Sequence, residues 1–227
     1  MLLSLQAVSK IYPISAGNVV NAVRDVTLDV ERGEFVIITG RSGSGKTTLL
    51  NLAAGLTKPT TGRVLLDGLN LWELPDKRQS VVRNRKIGFI FQFPSLLPTL
   101  NVLENVALPT VFNSNHRAQP ASDRAVELLQ MVGLSDKLTA FPRQLSAGQQ
   151  QRVVIARSLI NQPEILVADE ATSDLDEQTE QEIMSLFREI HGRTGVTILL
   201  VTHTSQLVSY GTRALRMANG LIVDAAG

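Results

Sequence analysis

Gly40-Arg-Ser-Gly-Ser-Gly-Lys-Thr47 fits G-x-x-x-x-G-K-[ST], the pattern of a loop that holds a phosphate chain. Its glycines let backbone N–H groups turn inward, and the helix that follows offers its positive N-terminal end. In such a loop Lys46 reaches the β- and γ-phosphates, and the Thr47 hydroxyl ligates Mg²⁺. The flanks suit the motif. Glu34-Phe-Val-Ile-Ile-Thr39 is an apolar run of the kind found in parallel strands covered on both faces. From Lys46 onward, Leu49, Leu52, Ala53 and Leu56 recur at helical spacing, with Gly55 and Pro59 near the end. Strand, loop and helix come in the order that nucleotide binding requires.

The chain has 227 residues, 44% of them hydrophobic and 19% charged, which suits one large domain or a domain with a subdomain. A net charge of +1, with no long basic run, gives no case for nucleic acid as a partner. The absence of cysteine excludes disulfides, thiolate metal sites and a cysteine nucleophile. Met1-Leu-Leu-Ser-Leu-Gln-Ala7 has no basic region ahead of a long apolar stretch, so it reads as a cytosolic edge strand rather than a leader. No apolar run approaches the roughly 18–20 residues that cross a bilayer.

Turns are expected at Gly17-Asn18, Glu31–Gly33 and Asp67-Gly68, between short strands. From about Phe93 to Ile160 the pattern turns helical. Pro94, Pro98 and Pro109 punctuate this stretch, and the polar segment from Asn113 to Pro120 reads as a surface loop. Alternation then resumes with a strand at Glu164–Ala168, a helix at Asp176–His191 and a strand at Val196–Val201. Ala218-Asn-Gly220 is a hairpin turn signal. The layout is α/β: a parallel-sheet nucleotide-binding core (1–92 and 161–227) with an antiparallel β subdomain, interrupted by a helical insertion (93–160).

Hydrolysis of a γ-phosphoryl group needs charge neutralisation and an aligned water. Ile165-Leu-Val-Ala-Asp169 ends an apolar strand in a carboxylate, which puts Asp169 beside the phosphate loop as a candidate Mg²⁺ ligand. Glu170 should point elsewhere, because strand residues alternate faces, and is the candidate for polarising water. His203 follows another apolar strand and could bond to the γ-phosphate, whereas His116 and His191 read as structural. Gln92 closes the run Ile87–Phe91, and its neutral amide could reach Mg²⁺ or the water. The loop Phe93-Pro-Ser-Leu-Leu-Pro-Thr-Leu100 is strongly apolar, so it either meets a partner or packs inside the insertion. Leu145-Ser-Ala-Gly-Gln149 opens a helix with Ser146 as N-cap and Gly148 allowing an anion to come close. Alone, this pentapeptide is an ordinary capped helix. With the first loop it is a second phosphate-facing helix start, and one nucleotide does not easily reach both. A head-to-tail pair with two sandwiched nucleotides is the economical solution.

These residues together resemble the nucleotide-binding subunit of ATP-binding cassette (ABC) transporters, over essentially the whole chain. The resemblance implies a P-loop ABC ATPase fold, ATP and Mg²⁺ as cofactors, and ATP hydrolysis coupled to transport. It implies ATP contacts from Gly40 through Thr48 (Arg41, Ser42, Gly43, Ser44, Gly45, Lys46 and Thr47 between), with Tyr12 stacked on adenine. Glu170, His203 and Gln92 become the catalytic set, and Thr47, Gln92 and Asp169 the Mg²⁺ set. Leu145, Ser146, Ala147, Gly148 and Gln149 become a signature that contacts the partner subunit's ATP, and Ser173, Asp174, Leu175 and Asp176 become the D-loop. The sequence departs from the family with Ala147 in place of a usual glycine and with Asp174 at a variable position.

The stretch from Ile87 to Pro109, with Val20-Asn-Ala-Val-Arg-Asp-Val26, looks most like the lipoprotein-release and macrolide-export branch. That implies an ATP-bound homodimer working on a separate membrane permease that docks near Phe93–Leu100. A periplasmic adaptor could be reached through the permease, and the place of work would be the inner face of the plasma membrane. A regulator of a membrane complex without transport, as in cell division, and a small-molecule importer subunit remain as alternatives. No added regulatory domain is expected after His203.

Overall fold

The computed structural model describes residues 1–15, 18–112 and 120–224. A long hairpin, β1 (Leu3–Ser15) and β2 (Asn18–Val30), precedes β3 (Phe35–Thr39) and α1 (Lys46–Ala53). β4 (Thr61–Leu66), β5 (Leu69–Asn70), α2 (Asp76–Lys86) and β6 (Ile87–Ile90) come next. Three helices follow, α3 (Val102–Ala107), α4 (Ala121–Met131) and α5 (Ala147–Leu159). The chain closes with β7 (Ile165–Asp169), α6 (Glu177–Thr194), β8 (Thr197–Thr202), β9 (Arg213–Ala218) and β10 (Leu221–Asp224). The turn at Gly17-Asn18 and most of the polar segment from Asn113 fall outside the described residues.

One sheet has the order β10-β9-β3-β8-β7-β6, and its strands from β9 to β6 run parallel. Every residue of β3, β7 and β8 is buried, as the apolar runs that make up most of each strand require. Successive side chains alternate between two cores. Phe35, Ile37, Leu166, Ile198 and Leu200 pack with α3, α4, α5 and α6 on one face. Val36, Ile38, Val167, Leu199 and Val201 pack with α1 and the second sheet on the other. Fully burying such a side chain contributes about 1.5–3 kcal/mol, so this two-sided packing dominates the fold's stability. The inward residues expected for α4 (Ala125, Leu128, Leu129) and α6 (Ile183, Leu186, Phe187, Ile190) are all buried.

The second sheet, β2-β1-β4-β5, is antiparallel. It corrects the reading of the N-terminus as an edge strand, because β1 pairs with β2 on one side and with β4 on the other. The partner at Thr61–Leu66 is remote in sequence, and strand composition alone carries no signal for such pairing. Leu2, Leu3, Leu5 and Val8 are fully buried by it. α1 is also shorter than its periodicity suggests. Leu56 N and Thr57 N both turn back to Asn51 O, at 2.8 and 3.1 Å, and end the helix before Leu56.

Four charges join the turns at one end of the sheets. Arg32 bonds Glu164 at 2.6 Å and Asp67 at 2.7 Å, and Lys86 bonds Asp67 at 2.8 Å and Glu164 at 2.9 Å. The Lys86 and Arg32 hydrogen bonds hold the Asp67 carboxyl below its ordinary value. Burial pushes Glu164 up, but the same two partners outweigh it and leave it lowered as well. Lowered carboxyls stabilise the fold above their ordinary values of 3.8 and 4.5, and this is lost as pH falls through the lower folded values. The Asp67→Asn/Glu164→Gln variant should therefore melt below the unmodified chain at pH 7. The gap should close as melting is repeated toward pH 3; a gap independent of pH would contradict the assignment.

Candidate active site

The register of the parallel sheet assembles the site. Thr39 pairs with Thr202 across β3 and β8, and Asp169 pairs with Val201 across β7 and β8. Gly40, Glu170 and His203 therefore leave the sheet within about one rung of each other. The phosphate loop turns into α1 at Gly45, whose backbone is left-handed at φ 102°. A Cβ there would stand 2.1 Å from Ala22 O, so only glycine fits. No side chain caps α1, and its first N–H groups are left for a ligand. Ser44 Oγ is buried without a hydrogen-bond partner among the described residues, which suits a phosphate oxygen.

Lys46 is almost fully buried. Its Nζ donates to Gly40 O at 2.8 Å and Arg41 O at 3.1 Å, and stands 3.5 Å from Glu170 Oε1. The other Glu170 oxygen lies 3.3 Å from His203 Nδ1. Glu170 has φ 45° and lies just beyond β7, so a left-handed turn rather than strand alternation aims its carboxylate. That backbone costs about 1–2 kcal/mol, held partly by the bond from Glu170 N to Val201 O at 3.0 Å. Thr47 Oγ1 donates to Asp169 Oδ1 at 3.0 Å. These are two hard oxygen donors of the type Mg²⁺ takes together with substrate phosphates. Burial pushes the Asp169 carboxyl up, the Thr47 bond lowers it, and the charge of Glu170 raises it further. A divalent cation would correct that imbalance. Among the described residues no group of three or more His, Cys, Asp or Glu could hold a metal.

A cleft of about 730 Å³ runs from the phosphate loop past Gln92 and Glu170 to Tyr12 and Val20. The Gln92 amide donates to Ser173 Oγ at 3.4 Å, which joins two of the expected residues. Tyr12 also lines the cleft, with Lys10 Nζ 5.0 Å from its ring centroid. Several lining residues escaped the sequence reading: Asn21, Ala22, Arg24, Asn219 and Gly220. Ala218-Asn-Gly220 is the hairpin it predicted, but its contact with the loop is tertiary. Gly220 N donates to Ser44 O at 2.9 Å, and Gly220 O accepts from Arg24 N at 2.8 Å. His191 is structural, with Nε2 on Gly33 O at 2.8 Å. His116 lies outside the described residues.

The signature stands apart. Ser146 and Ala147 are exposed and line neither this cleft nor the one behind the loop. Ser146 Oγ accepts from Gln149 N at 3.2 Å and Gln149 Oε1 accepts from Ser146 N at 3.0 Å, a reciprocal cap on α5. Ala147 starts α5 after a Ser146 backbone of ordinary extended geometry. Gly148 has a further reason to be glycine, since a Cβ there would meet Thr179 Cγ2 at 2.6 Å. Asp176 caps α6 through Thr179, while Asp174 is exposed and Leu175 packs against the core. The apolar loop after Gln92 divides. Leu96 packs on the core, while Phe93 and Leu97 face outward at 64% and 43% exposure. Fully buried Asn105 causes the division by bonding Leu97 N, Leu97 O and Leu100 O.

The family model for ABC transporters matches residues 23–173, from β2 through the phosphate loop, the signature and the Asp169-Glu170 pair. The chain belongs to the ABC transporter family. It is an ATPase of the ATP-binding cassette type. The lipoprotein-releasing system ATP-binding protein LolD of Shewanella denitrificans is 43% identical over 97% of this chain and 94% of its own length. The macrolide export ATP-binding/permease protein MacB of Rhodopirellula baltica is 42% identical over 89% of this chain, which spans 30% of that longer protein. Among solved structures, the dimeric ATP-binding cassette MJ0796 bound to ADP and Pi has a TM-score of 0.89 and 38% identity, covering 98% of this chain and 97% of that one. The expected fold and branch resemblance are thus met. In this cassette no helix among the described residues is long and apolar enough to cross a membrane.

A raised carboxylate pKa means that ionised Asp169 weakens the fold at neutral pH. Asp169→Asn should raise the melting temperature by about 1–3 °C in metal-free, nucleotide-free buffer. The same variant should lose the thermal stabilisation that Mg²⁺-ATP gives the unmodified cassette. A lower melting temperature in metal-free buffer would contradict the burial cause.

Proposed function

We propose that this cassette works as an ATP-closed, head-to-tail homodimer that drives a separate membrane permease of the lipoprotein-release or macrolide-export class. Residues 1–92 and 161–227 form the nucleotide-binding core in this reading, and 93–160 the helical part that carries the signature. The cassette sits at the cytoplasmic face of the membrane. The observation that carries the reading is the convergence of Lys46, Glu170 and His203 beside the Thr47–Asp169 pair.

Tyr12 stacks on adenine, and Gly40 through Thr48 hold the phosphates. Thr47 and Asp169, with Gln92 alongside, would hold Mg²⁺, which would supply charge neutralisation for the bound phosphates. Lys46 and His203 both pair with Glu170 in this structure. A γ-phosphate at the loop competes with Glu170 for the Lys46 ammonium and the His203 ring, which releases the Glu170 carboxylate to accept a proton from water and align it. Ser146 and the α5 N-terminus of the second subunit close over the γ-phosphate from the opposite side. The capped but exposed helix start, remote from its own subunit's clefts, supports this arrangement, as does the dimeric state of MJ0796.

Docking of the permease is assigned to the outward side chains Phe93 and Leu97, since Leu96 serves the core. Relatives named for lipoprotein release and macrolide export support the permease class.

Glu170→Gln should lower ATP turnover by about 100-fold or more and trap an ATP-bound dimer in size-exclusion chromatography. Retained turnover would remove Glu170 from its role. Leu97→Glu should leave ATPase activity of the isolated cassette within about twofold, because surface substitutions away from buried contacts are mild. It should abolish co-purification of the membrane partner. Unaltered co-purification would move the docking surface elsewhere.

A further inference from the structure

Three charged residues line the nucleotide cleft: Arg24, Lys46 and Glu170. Lys46 and Glu170 face each other at 3.5 Å, and Lys46 also donates to two carbonyl oxygens. Arg24 has no such partner. It is exposed on the wall of the cleft and forms no ion pair among the described residues. A guanidinium is a planar fork of donors whose geometry matches the oxygen pair of a phosphate.

Arg24 does not reach the cleft as an ordinary strand residue, because β1 and β2 slip register twice around it. Lys10 pairs with Val23 and Ile11 with Asn21, which leaves Ala22 as an extra residue on β2. Val8 pairs with Val26, so Arg24 and Asp25 together stand opposite Ser9 alone. Bulges of this kind bend a strand and re-aim its side chains. Asp25 takes a left-handed backbone at φ 46°, and its N–H donates to Ser9 Oγ at 2.9 Å. The Arg24 N–H turns away from β1 and donates to Gly220 O at 2.8 Å. Gly220, at φ 79°, leaves room for the arginine stem, since a Cβ there would stand 3.2 Å from Arg24 Cγ. Gly220 N in turn holds Ser44 O of the phosphate loop at 2.9 Å, and Ala22 O closes over Gly45. Arg24 is thus fixed to the phosphate loop through Gly220 on one side and Ala22 on the other.

We infer that Arg24 binds the α-phosphate of the nucleotide, between the adenine seat at Tyr12 and the β- and γ-phosphates at Lys46. The inference rests on the reading above, in which adenine stacks on Tyr12. Tyr12 pairs with Val20 across the hairpin, and Asn21, Ala22 and Arg24 continue the lining toward Gly45 and Lys46. The α-phosphate is the one charge a nucleotide carries between those two seats, and Arg24 is the one cation besides Lys46 among the described residues that line the cleft. The α-phosphate gains no charge as the γ-phosphoryl group leaves. Its contact with Arg24 therefore holds ground state and transition state alike, and sets nucleotide affinity rather than turnover.

The test titrates ATP, ADP and 2′-deoxy-ATP into the full chain by calorimetry in EDTA buffer, and measures ATPase kinetics separately with Mg²⁺. Arg24→Ala should weaken ATP and ADP by the same factor, about fivefold or more, as loss of a charge-assisted pair does. It should raise KM by a similar factor and leave kcat within about twofold. Arg24→Lys should recover part of the affinity, because it keeps the charge and loses the fork. The melting temperature of either variant should stay within about 2 °C of the unmodified chain, since the side chain is exposed. If Arg24→Ala leaves both affinities within about twofold while Tyr12→Ala weakens them, the inference alone fails. If Tyr12→Ala changes nothing, the placing of adenine fails and the inference with it. It also fails if Arg24→Ala weakens ATP but not ADP, since the partner is then the γ-phosphate. A loss seen with ATP but not with 2′-deoxy-ATP overturns it too, in favour of the ribose hydroxyl.

Discussion

Three parallel strands buried on both faces hold the rest of the molecule in place. β3, β7 and β8 are buried along their whole lengths, and neither face can be offered to water without losing several buried apolar side chains. Because both cores lock their register, the three strand ends emerge side by side. Three parts of the site hang from those ends: the phosphate loop after Thr39, the carboxylate pair at Asp169-Glu170 and His203 after Thr202. The ring of Arg32, Asp67, Lys86 and Glu164 pins other turns of the same sheets, but on exposed groups whose pairing stabilises less.

On that base the site is built from competing charges. Lys46 is buried and satisfied by two carbonyl oxygens and Glu170, while Glu170 shares His203. Asp169 is raised by burial and needs positive charge nearby. An arrangement of this sort favours polyanionic phosphate with a hard cation, because both together rebalance what the fold has left strained. The left-handed backbone at Glu170 stores a further small cost at the point where a carboxylate must leave its strand.

Much of this was legible in the chain. Gly40–Thr47 names itself because glycine, lysine and threonine at fixed offsets answer a backbone geometry that few other functions need. Ile165–Asp169 is legible because a short apolar run ending in acid, in a chain that also carries a phosphate loop, suits the C-terminal edge of a buried parallel strand. Other parts were not legible, for physical reasons that can be named. Strand pairing of β1 with β4 joins segments far apart in sequence. The division of Leu96 from Leu97 depends on Asn105, whose three bonds to that loop cannot be read from either residue. Arg24, Asn219 and Gly220 look like ordinary strand and turn residues until the β9–β10 turn is seen to bond Ser44.

The sequence by itself determined the chemistry: a phosphate loop, a carboxylate pair, a histidine and a capped second helix start, in an order that belongs to ABC cassettes. Local spacing encodes these because each depends on residues within a few positions of one another. Only the tertiary structure decided which of them meet. It placed Glu170 between Lys46 and His203, kept Ser146 away from its own subunit's loop, and turned Arg24 from its strand toward the nucleotide cleft. Those outcomes follow from strand register and from the packing of α5 on α6 at Gly148, which are contacts between distant segments that no local pattern records.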